Sequence, residues 1–544
     1  MNITLGNSQL LYHHFKWSTL KKKIIYIFLL IYLIVGSLAS LNVGISHDEY
    51  HEEENWKYNI KLSKSIYNKI TFQKDVDLRI EDYQDKYYGI GFQIISQPIQ
   101  FLIKDIVAIY QDTDDYGSKL ISKHFIVFLF FFISGILFYL ILKKIIENKN
   151  FRYLSTSIYF FYPYLLGQSF FNSKDIPFMA IWLLCSYLSF CIIDKLIKKN
   201  TIKTSSIVIL GISTAYLFSI RITGILILLQ YLITFLLFIN IKQIKFYDFF
   251  KRYYINLFQL IFFILIFTYI LHPVYWANPS EIINAVKSMS YYYNDVCTQT
   301  LGTCMKAKDL PASYIPIWIS VKLPILILIG IILIPFTEKK IFMNDKTKIT
   351  FGTILLISII IPVIFIISNT NLYDEIRHLI FLIPFLFVIG TVSFYIFSRK
   401  GYYLVAVIML SIFIYENIKI HPYQYVWFNI PSRAIDLTEK FELEYQGLSG
   451  KIIAKKIPEF NNKKTCILTN PIYSVEPFLD KKKYDCFDIW QYVDAGFQRP
   501  FLAIQHVRNI KKGTPYNCKS IYESSFTLLL HQKKFITGKL LKCS

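Results

Sequence analysis

Charge is scarce in this chain. Only 18% of its 544 residues are charged, against 54% hydrophobic and 17% aromatic. That balance excludes an ordinary soluble protein of this length, which carries more charge and fewer long apolar runs. The apolar residues are clustered, and several runs approach the ~20 residues that span a bilayer core as helix. The chain therefore reads as a polytopic membrane protein. Further absences narrow the class. The first apolar run has no small-residue cleavage site and is long for a signal-peptide core, so it reads as a retained helix. No internal repeat is evident, whereas a transporter typically shows inverted repeats and broken central helices. The eight cysteines contain no paired C-x2-C knuckle, which favours disulfides over a zinc site. A formal charge of +22 would suggest nucleic acid in a soluble protein. Here the basic residues flank apolar runs and set topology, so no nucleic-acid partner is expected.

Eleven spans are expected, at 24–42, 125–142, 153–171, 176–193, 205–220, 222–241, 255–271, 313–336, 349–367, 379–397 and 401–416. The fifth and sixth form one stretch broken only by Arg221, which reads as a tight turn at the membrane surface. With the N-terminus inside, the inner segments hold Lys21-Lys22-Lys23, Lys198-Lys199, Lys251-Arg252 and Lys339-Lys340. The outer turns near Lys174, Arg221 and Arg377 hold one basic residue each, in keeping with the positive-inside rule. Counting segment 90–110 as a span would invert every later loop, and its Lys104 and Asp105 are ill suited to lipid. It reads as an interfacial helix on the outer surface. Two regions follow: a multi-pass membrane region, 1–417, with a long first outer loop at 43–122, and an outer region, 418–544. The second is expected to be a small α/β or α+β domain, with 524–543 as a two-stranded hairpin. Cys185 and Cys191 lie in a span. Cys297, Cys304, Cys466, Cys486, Cys518 and Cys543 all fall outside, which suggests an oxidising compartment and up to three disulfides, most simply between nearest neighbours.

The outer face collects the unusual residues. "GISHDEYHEEENW" (44–56) places five carboxylates and two histidines directly after the first span. A carboxylate at that surface is partly desolvated, and a raised pKa would suit Asp48 to general-base work. The competing reading is an acidic helix start with Asp48 as a cap, and Glu52, Glu53 and Glu54 fall mostly to it. His47 and His51 share a helical face, as metal ligands would. The order is not H-E-x-x-H and no third ligand stands out, so neither a metal nor another cofactor is expected. Adjacent carboxylates rarely flank a scissile bond as in a glycosidase. Lys322 lies inside an apolar run, and an intramembrane lysine is a functional candidate unless it marks the surface. Asp175 is a candidate for the site or for capping the next helix, with Pro177 in its first turn.

The order of these motifs resembles the GT-C class of membrane glycosyltransferases. Specifically it resembles the dolichyl-phosphate-mannose protein mannosyltransferases and their bacterial relatives, the aminoarabinose transferases included. The resemblance rests on the Asp48-Glu49 pair after the first span, "FNSKDIPFMAIWLL", "SIRITGILIL", "LPASYIPIWISVKLPILILIG", "YDEIRHLIFLIPFL", "HPYQYVWFN" and "FELEYQGLSGK", and covers about residues 20 to 455. The short loop 272–312 departs from eukaryotic members, which carry a large lumenal domain there, and points to a bacterial relative. The resemblance implies an all-α polytopic GT-C fold. It also implies transfer of a sugar, mannosyltransferase-like, from a polyprenyl-phosphate-linked monosaccharide to a protein, lipid or glycan hydroxyl. The chain would sit among the lipids of the bacterial inner (plasma) membrane, N-terminus cytoplasmic and C-terminal domain extracytoplasmic. Asp48 would be the base and Glu49 its neighbour in the acceptor or sugar site. Lys174, Arg221 and Arg377 would bind phosphate, because cations stabilise the departing lipid phosphate and the arginine fork matches its oxygens. Asp175, Lys322 and His378 complete the substrate-binding candidates. A flippase for a lipid-linked glycan and a lipid-diphosphate-dependent ligase are the alternatives.

Overall fold

The computed structural model describes residues 6–72, 83, 85–199, 201–288, 295–461, 463, 465–488, 501–510 and 518–543. Among the described residues, nine helices are long and apolar enough to cross a membrane. The expected spans 24–42, 125–142, 176–193, 222–241, 255–271, 349–367, 379–397 and 401–416 each match one of them, 24–42 and 255–271 overrunning theirs by a single residue. Three expected spans take other forms. Thr204–Ile220 is a shorter apolar helix of 17 residues. Segment 153–171 breaks between Lys149–Phe161 and Pro163–Gln168. Segment 313–336 breaks into Tyr314–Lys322, Ile325–Ile332 and the start of Ile334–Ile341. Proline explains both breaks, since Pro163, Pro324 and Pro335 bring no N–H and clash with the preceding turn. Such breaks survive in a membrane protein where neighbours take up the freed carbonyls. The Asn429 amide does so, donating to the Ser320 and Leu323 carbonyls at 2.6 and 2.8 Å.

We label the first three long helices α1 (Gly6–Leu41), α2 (His47–Phe72) and α3 (Gly91–Gln111). The ninth long helix is α3, which the sequence suggested as interfacial. Its Gly91 end packs on the last residues of Thr204–Ile220, where a Cβ would stand 2.3 Å from Ser219 Oγ. Its Gln111 end donates to Asn42, just past the end of α1, at 3.1 Å. Both contacts lie at ends of membrane helices on the same face, so α3 runs along that face. Gln93, Ser96 and Gln100 point inward and are buried, while Phe101, Leu102, Ile106 and Ile109 are exposed. A polar face turned to the protein and an apolar face turned out suit a helix bedded in lipid. The opposite face gathers the charges at the other helix ends: Lys144–Asp194 at 2.6 Å, Lys346–Asp194 at 3.6 Å and Lys242–Asp345 at 2.7 Å. The side chains of Lys21 and Lys22 lie outside the described residues.

Beyond the helices, strands β1 (Cys297–Thr300) and β2 (Thr303–Lys306) form a hairpin. The C-terminal region holds β3 (Thr465–Thr469), β4 (Tyr484–Asp488), β5 (Phe501–His506), β6 (Cys518–Phe526) and β7 (Phe535–Cys543), in the order β4-β3-β5-β7-β6. The pairs β3–β4 and β3–β5 are parallel, whereas β5–β7 and the β6–β7 hairpin are antiparallel. Helix Ser449–Phe460 lays Ile453 and Ile457 on Ile467, Ile504 and Leu540. This is the small mixed sheet domain expected from the sequence. Disulfides join Cys297 to Cys304 and Cys518 to Cys543. Cys466 is free, so the third nearest-neighbour pair is corrected. It sits in β3 opposite Asp485, and the side chain of Cys486 lies outside the described residues.

The sheet domain is bolted to the membrane helices at the face that carries α3. Lys451 donates to the carbonyls of Leu41, Asn42 and Val43 at 3.3, 2.9 and 3.3 Å, and to Gln111 at 2.6 Å. The His47 N–H donates to the Gln446 carbonyl at 2.9 Å.

Candidate active site

The site starts from the turn between α1 and α2. Ser46 immediately precedes α2, and Glu49 reaches back to accept the Ser46 N–H at 2.6 Å, the Glu half of a capping box, which fixes the helix start. Helical spacing then sorts the acidic stretch. His47, Asp48, His51, Glu52 and Asn55 share one face and line a pocket. Glu49 turns away, buried against His124 Nε2 at 2.8 Å. Glu53 turns away as well, toward Lys123 at 2.5 Å. The solvated-start reading of the glutamates therefore holds for Glu54, which pairs with exposed Lys57, and fails for the buried Glu52 and Glu53.

The pocket opens to solvent and is completed by Asp85, Tyr88, Lys174, Arg221, Val296, Tyr373, Asp374, Arg377 and Arg508. Each basic residue sits at an element boundary. Lys174 immediately precedes Asp175–Ile197. Arg221 takes an extended conformation between Thr204–Ile220 and the next turn. Arg377 opens the helix leading into 379–397, and Arg508 follows β5. The Arg377 guanidinium is held by three carboxylates: Asp48 at 2.7 Å, Asp374 at 3.3 Å and Asp175 at 3.8 Å. Asp374 also binds Arg508 at 2.5 Å, and Asp175 pairs with Arg221. The result is an alternating chain of four acids and bases from Arg508 through Asp374 and Arg377 to Asp48, with a branch through Asp175 to Arg221. Lys174 stands 3.6 Å from Glu52 and 4.4 Å above the Tyr88 ring. Among the described residues the Arg377 Nε–H makes no hydrogen bond.

This setting reverses the expectation for Asp48. Burial pushes its carboxyl up, but Arg377, then Lys174 and the two histidines, outweigh that and hold it well below the usual carboxylate range. A paired guanidinium 2.7 Å away favours the anion. The carboxyl raised by burial is that of Glu52, against opposing pulls from Lys174 and the Ser173 hydroxyl. Burial likewise pushes Glu375 up, with Lys322 opposing. Burial lowers His47, with Asp48 opposing.

Of the sequence-derived candidates, Asp48, Lys174, Arg221 and Arg377 meet in the pocket, and Asp175 lies beneath it, joining two of the arginines. Asn172 rather than Asp175 caps the following helix, accepting the Asp175 N–H at 2.8 Å. Glu49 and Lys322 do not line the pocket. Lys322 is fully buried with Glu375 at 2.8 Å. His378 stands edge-on to Tyr373, with ring centroids 4.6 Å apart. Sequence reasoning missed Glu52, Asp374, Tyr373 and Arg508. The first carries a usable signal, its i+4 spacing from Asp48. Arg508 carries none, because only the docking of the sheet domain brings it here. His51 approaches Asp85 at 3.8 Å. Among the described residues, no group of three or more His, Cys, Asp or Glu side chains is arranged to hold a metal ion.

No family model matches this chain, and no curated protein sequence does. Among solved structures, the chain is similar to ArnT from Cupriavidus metallidurans in the apo state, with a TM-score of 0.47 and 10% identity over 96% of this chain and 98% of that one. It is also similar to ArnT from Cupriavidus metallidurans bound to undecaprenyl phosphate, with a TM-score of 0.45 and 9% identity over 96% and 98% of the two chains.

Proposed function

We propose that this chain is a GT-C-type membrane glycosyltransferase that moves a sugar, a hexose by the resemblance of its motifs, from a polyprenyl-phosphate carrier to an acceptor hydroxyl. The reaction face is the outer face of the bacterial cytoplasmic membrane, with the N-terminus inside. One observation carries this reading: Arg377, Arg221, Lys174 and Arg508 converge with Asp48 in one pocket at the ends of the membrane helices. A lipid-linked sugar phosphate is an amphiphile that needs this combination, with cations at the membrane surface, a carboxylate beside them and lipid alongside.

The resting network suggests how the site is charged for reaction. An incoming phosphate competes with Asp48 for Arg377, using the unfilled Nε–H and the neighbouring Arg221 and Lys174. Loss of the guanidinium partner lets the Asp48 carboxylate recover basicity. The freed carboxylate takes the acceptor hydroxyl proton as the acceptor oxygen attacks the anomeric carbon. The bond from that carbon to the phosphate oxygen breaks, its electron pair goes to the lipid phosphate, and the arginines stabilise the charge that develops there. The sugar is transferred with inversion, and Asp48 returns its proton to solvent as polyprenyl phosphate leaves.

The reading is tested in membranes with a radiolabelled polyprenyl-phosphate hexose beside the same hexose on a nucleotide. Transfer from the lipid donor alone is the expected result. Transfer from the nucleotide donor, or from neither across a panel of sugars, would overturn it.

A further inference from the structure

Lys322 was a candidate for the pocket, yet it lies behind it. Its ammonium and the Glu375 carboxylate are 2.8 Å apart, and both side chains have 0% exposure. The faces of Phe428, Tyr164 and Trp318 surround the ammonium at 4.0, 5.0 and 5.6 Å. Taking two opposite charges out of water carries a desolvation cost that their attraction does not reliably return, so such a pair is poor evidence of stabilisation.

The backbone beside it is also costly. Asp374 and Glu375 are consecutive non-glycine residues in the left-handed region, with φ of +56° and +68°. Each such residue is strained and persists only where its surroundings hold it. The surroundings here are identifiable. The Tyr314 hydroxyl donates to the Glu375 carbonyl at 3.0 Å, and the Thr298 hydroxyl accepts the Asp374 N–H at 2.8 Å. The Glu375 side chain is anchored by Lys322. That lysine is fixed in turn by the Tyr162 hydroxyl on its carbonyl at 2.7 Å, and by Asn429 on the two carbonyls that bracket the helix end. The strained turn aims Tyr373 and Asp374 into the pocket and delivers Arg377 two residues later.

We infer that Lys322 and Glu375 are positioning residues: their buried pair clamps the left-handed turn so that Arg377 and Asp374 hold the geometry that receives the donor phosphate. The inference rests on the reading of the pocket given above. It accounts for two uncompensated costs, a buried ion pair and a strained turn, lying side by side behind one arginine.

The test uses the full chain in detergent, with polyprenyl phosphate lacking a sugar as the probe, titrated against wild type and Lys322→Met/Glu375→Leu. Removing both charges spares the fold the unpaired ion that either single change would leave. The double variant is expected to melt within a few degrees of wild type and to bind polyprenyl phosphate at least tenfold more weakly. Binding within twofold of wild type in a folded double variant would overturn the clamp. Where the double variant does not fold, Tyr314→Phe decides: it removes only the hydroxyl on the Glu375 carbonyl, and a binding constant unchanged by it overturns the inference, whereas a threefold or greater loss supports it. A wild-type protein that does not bind polyprenyl phosphate would overturn the reading of the pocket, and the inference with it.

Discussion

Glu416 and Arg433 join the last membrane helix to the sheet domain, and breaking that joint should be costly. Both side chains are 1% exposed. Arg433 donates to Glu416 at 2.5 and 3.0 Å, to the Phe428 carbonyl at 3.0 and 2.7 Å, and to the Leu529 carbonyl in the β6–β7 turn at 2.6 Å. Glu416 also accepts the Trp427 indole N–H at 2.5 Å and the Leu529 N–H at 3.3 Å. Glu416→Gln keeps the volume and removes the charge, leaving a guanidinium buried without its counter-ion. Breaking a buried pair on one side costs about 3–5 kcal/mol, a hundredfold to a thousandfold or more in the docking equilibrium. The expected result in detergent is a lower melting temperature and faster tryptic cleavage in the sheet domain, at Lys451, Lys455 and Lys456. Replacing both partners, Glu416→Met with Arg433→Met, should recover most of the loss, because no unpaired charge remains. A Glu416→Gln protein with wild-type melting and proteolysis would refute the claim that this joint holds the domain.

Two further outcomes follow from the sheet domain. Burial raises Glu444 to about 7, outweighing the Tyr425 hydroxyl and the Leu448 N–H that favour its anion. Its folded pKa lies above its unfolded one, so its contribution to stability is fully present below about pH 4.5 and is lost as pH rises through 7, a swing of roughly 3 kcal/mol. Glu444→Gln should flatten the melting temperature between pH 5 and 7, and an unchanged slope would show that Glu444 does not titrate there. The Cys518–Cys543 disulfide closes a sequence separation of 25 residues, for which loop-closure entropy gives about 3.5 kcal/mol. Cys543→Ser, which leaves Cys297–Cys304 intact, should therefore lower the melting temperature below that of oxidised wild type, and equal melting of the two would contradict this.

The spans were legible because uninterrupted apolar runs have few other uses. The runs 153–171 and 313–336 looked equally continuous, since hydropathy does not register that Pro163 or Pro324 stops a helix when Asn429 or a neighbouring hydroxyl takes up the freed carbonyls. Asp48, Lys174, Arg221 and Arg377 were legible as charges at the ends of apolar runs on one face. Their electrostatics were not. Arg377 decides the direction of the Asp48 shift, and nothing local to "SHDEYHEEENW" announces an arginine from a distant turn. Lys322 stood out as a buried charge, but its partner Glu375 and its place behind the pocket come from packing. Arg508 became visible only once β5 was docked over the site.

The central claim is that Asp48 serves as the base in sugar transfer from a lipid phosphate, with basic side chains supplying the charge stabilisation. The most direct measurement is transfer from a labelled polyprenyl-phosphate sugar by wild type and Asp48→Asn at matched expression, each with and without a chelator. The account expects wild-type transfer to persist with the chelator and Asp48→Asn to lose it by a factor of about 10² or more, the scale of a lost general base. Transfer that survives Asp48→Asn would contradict the account.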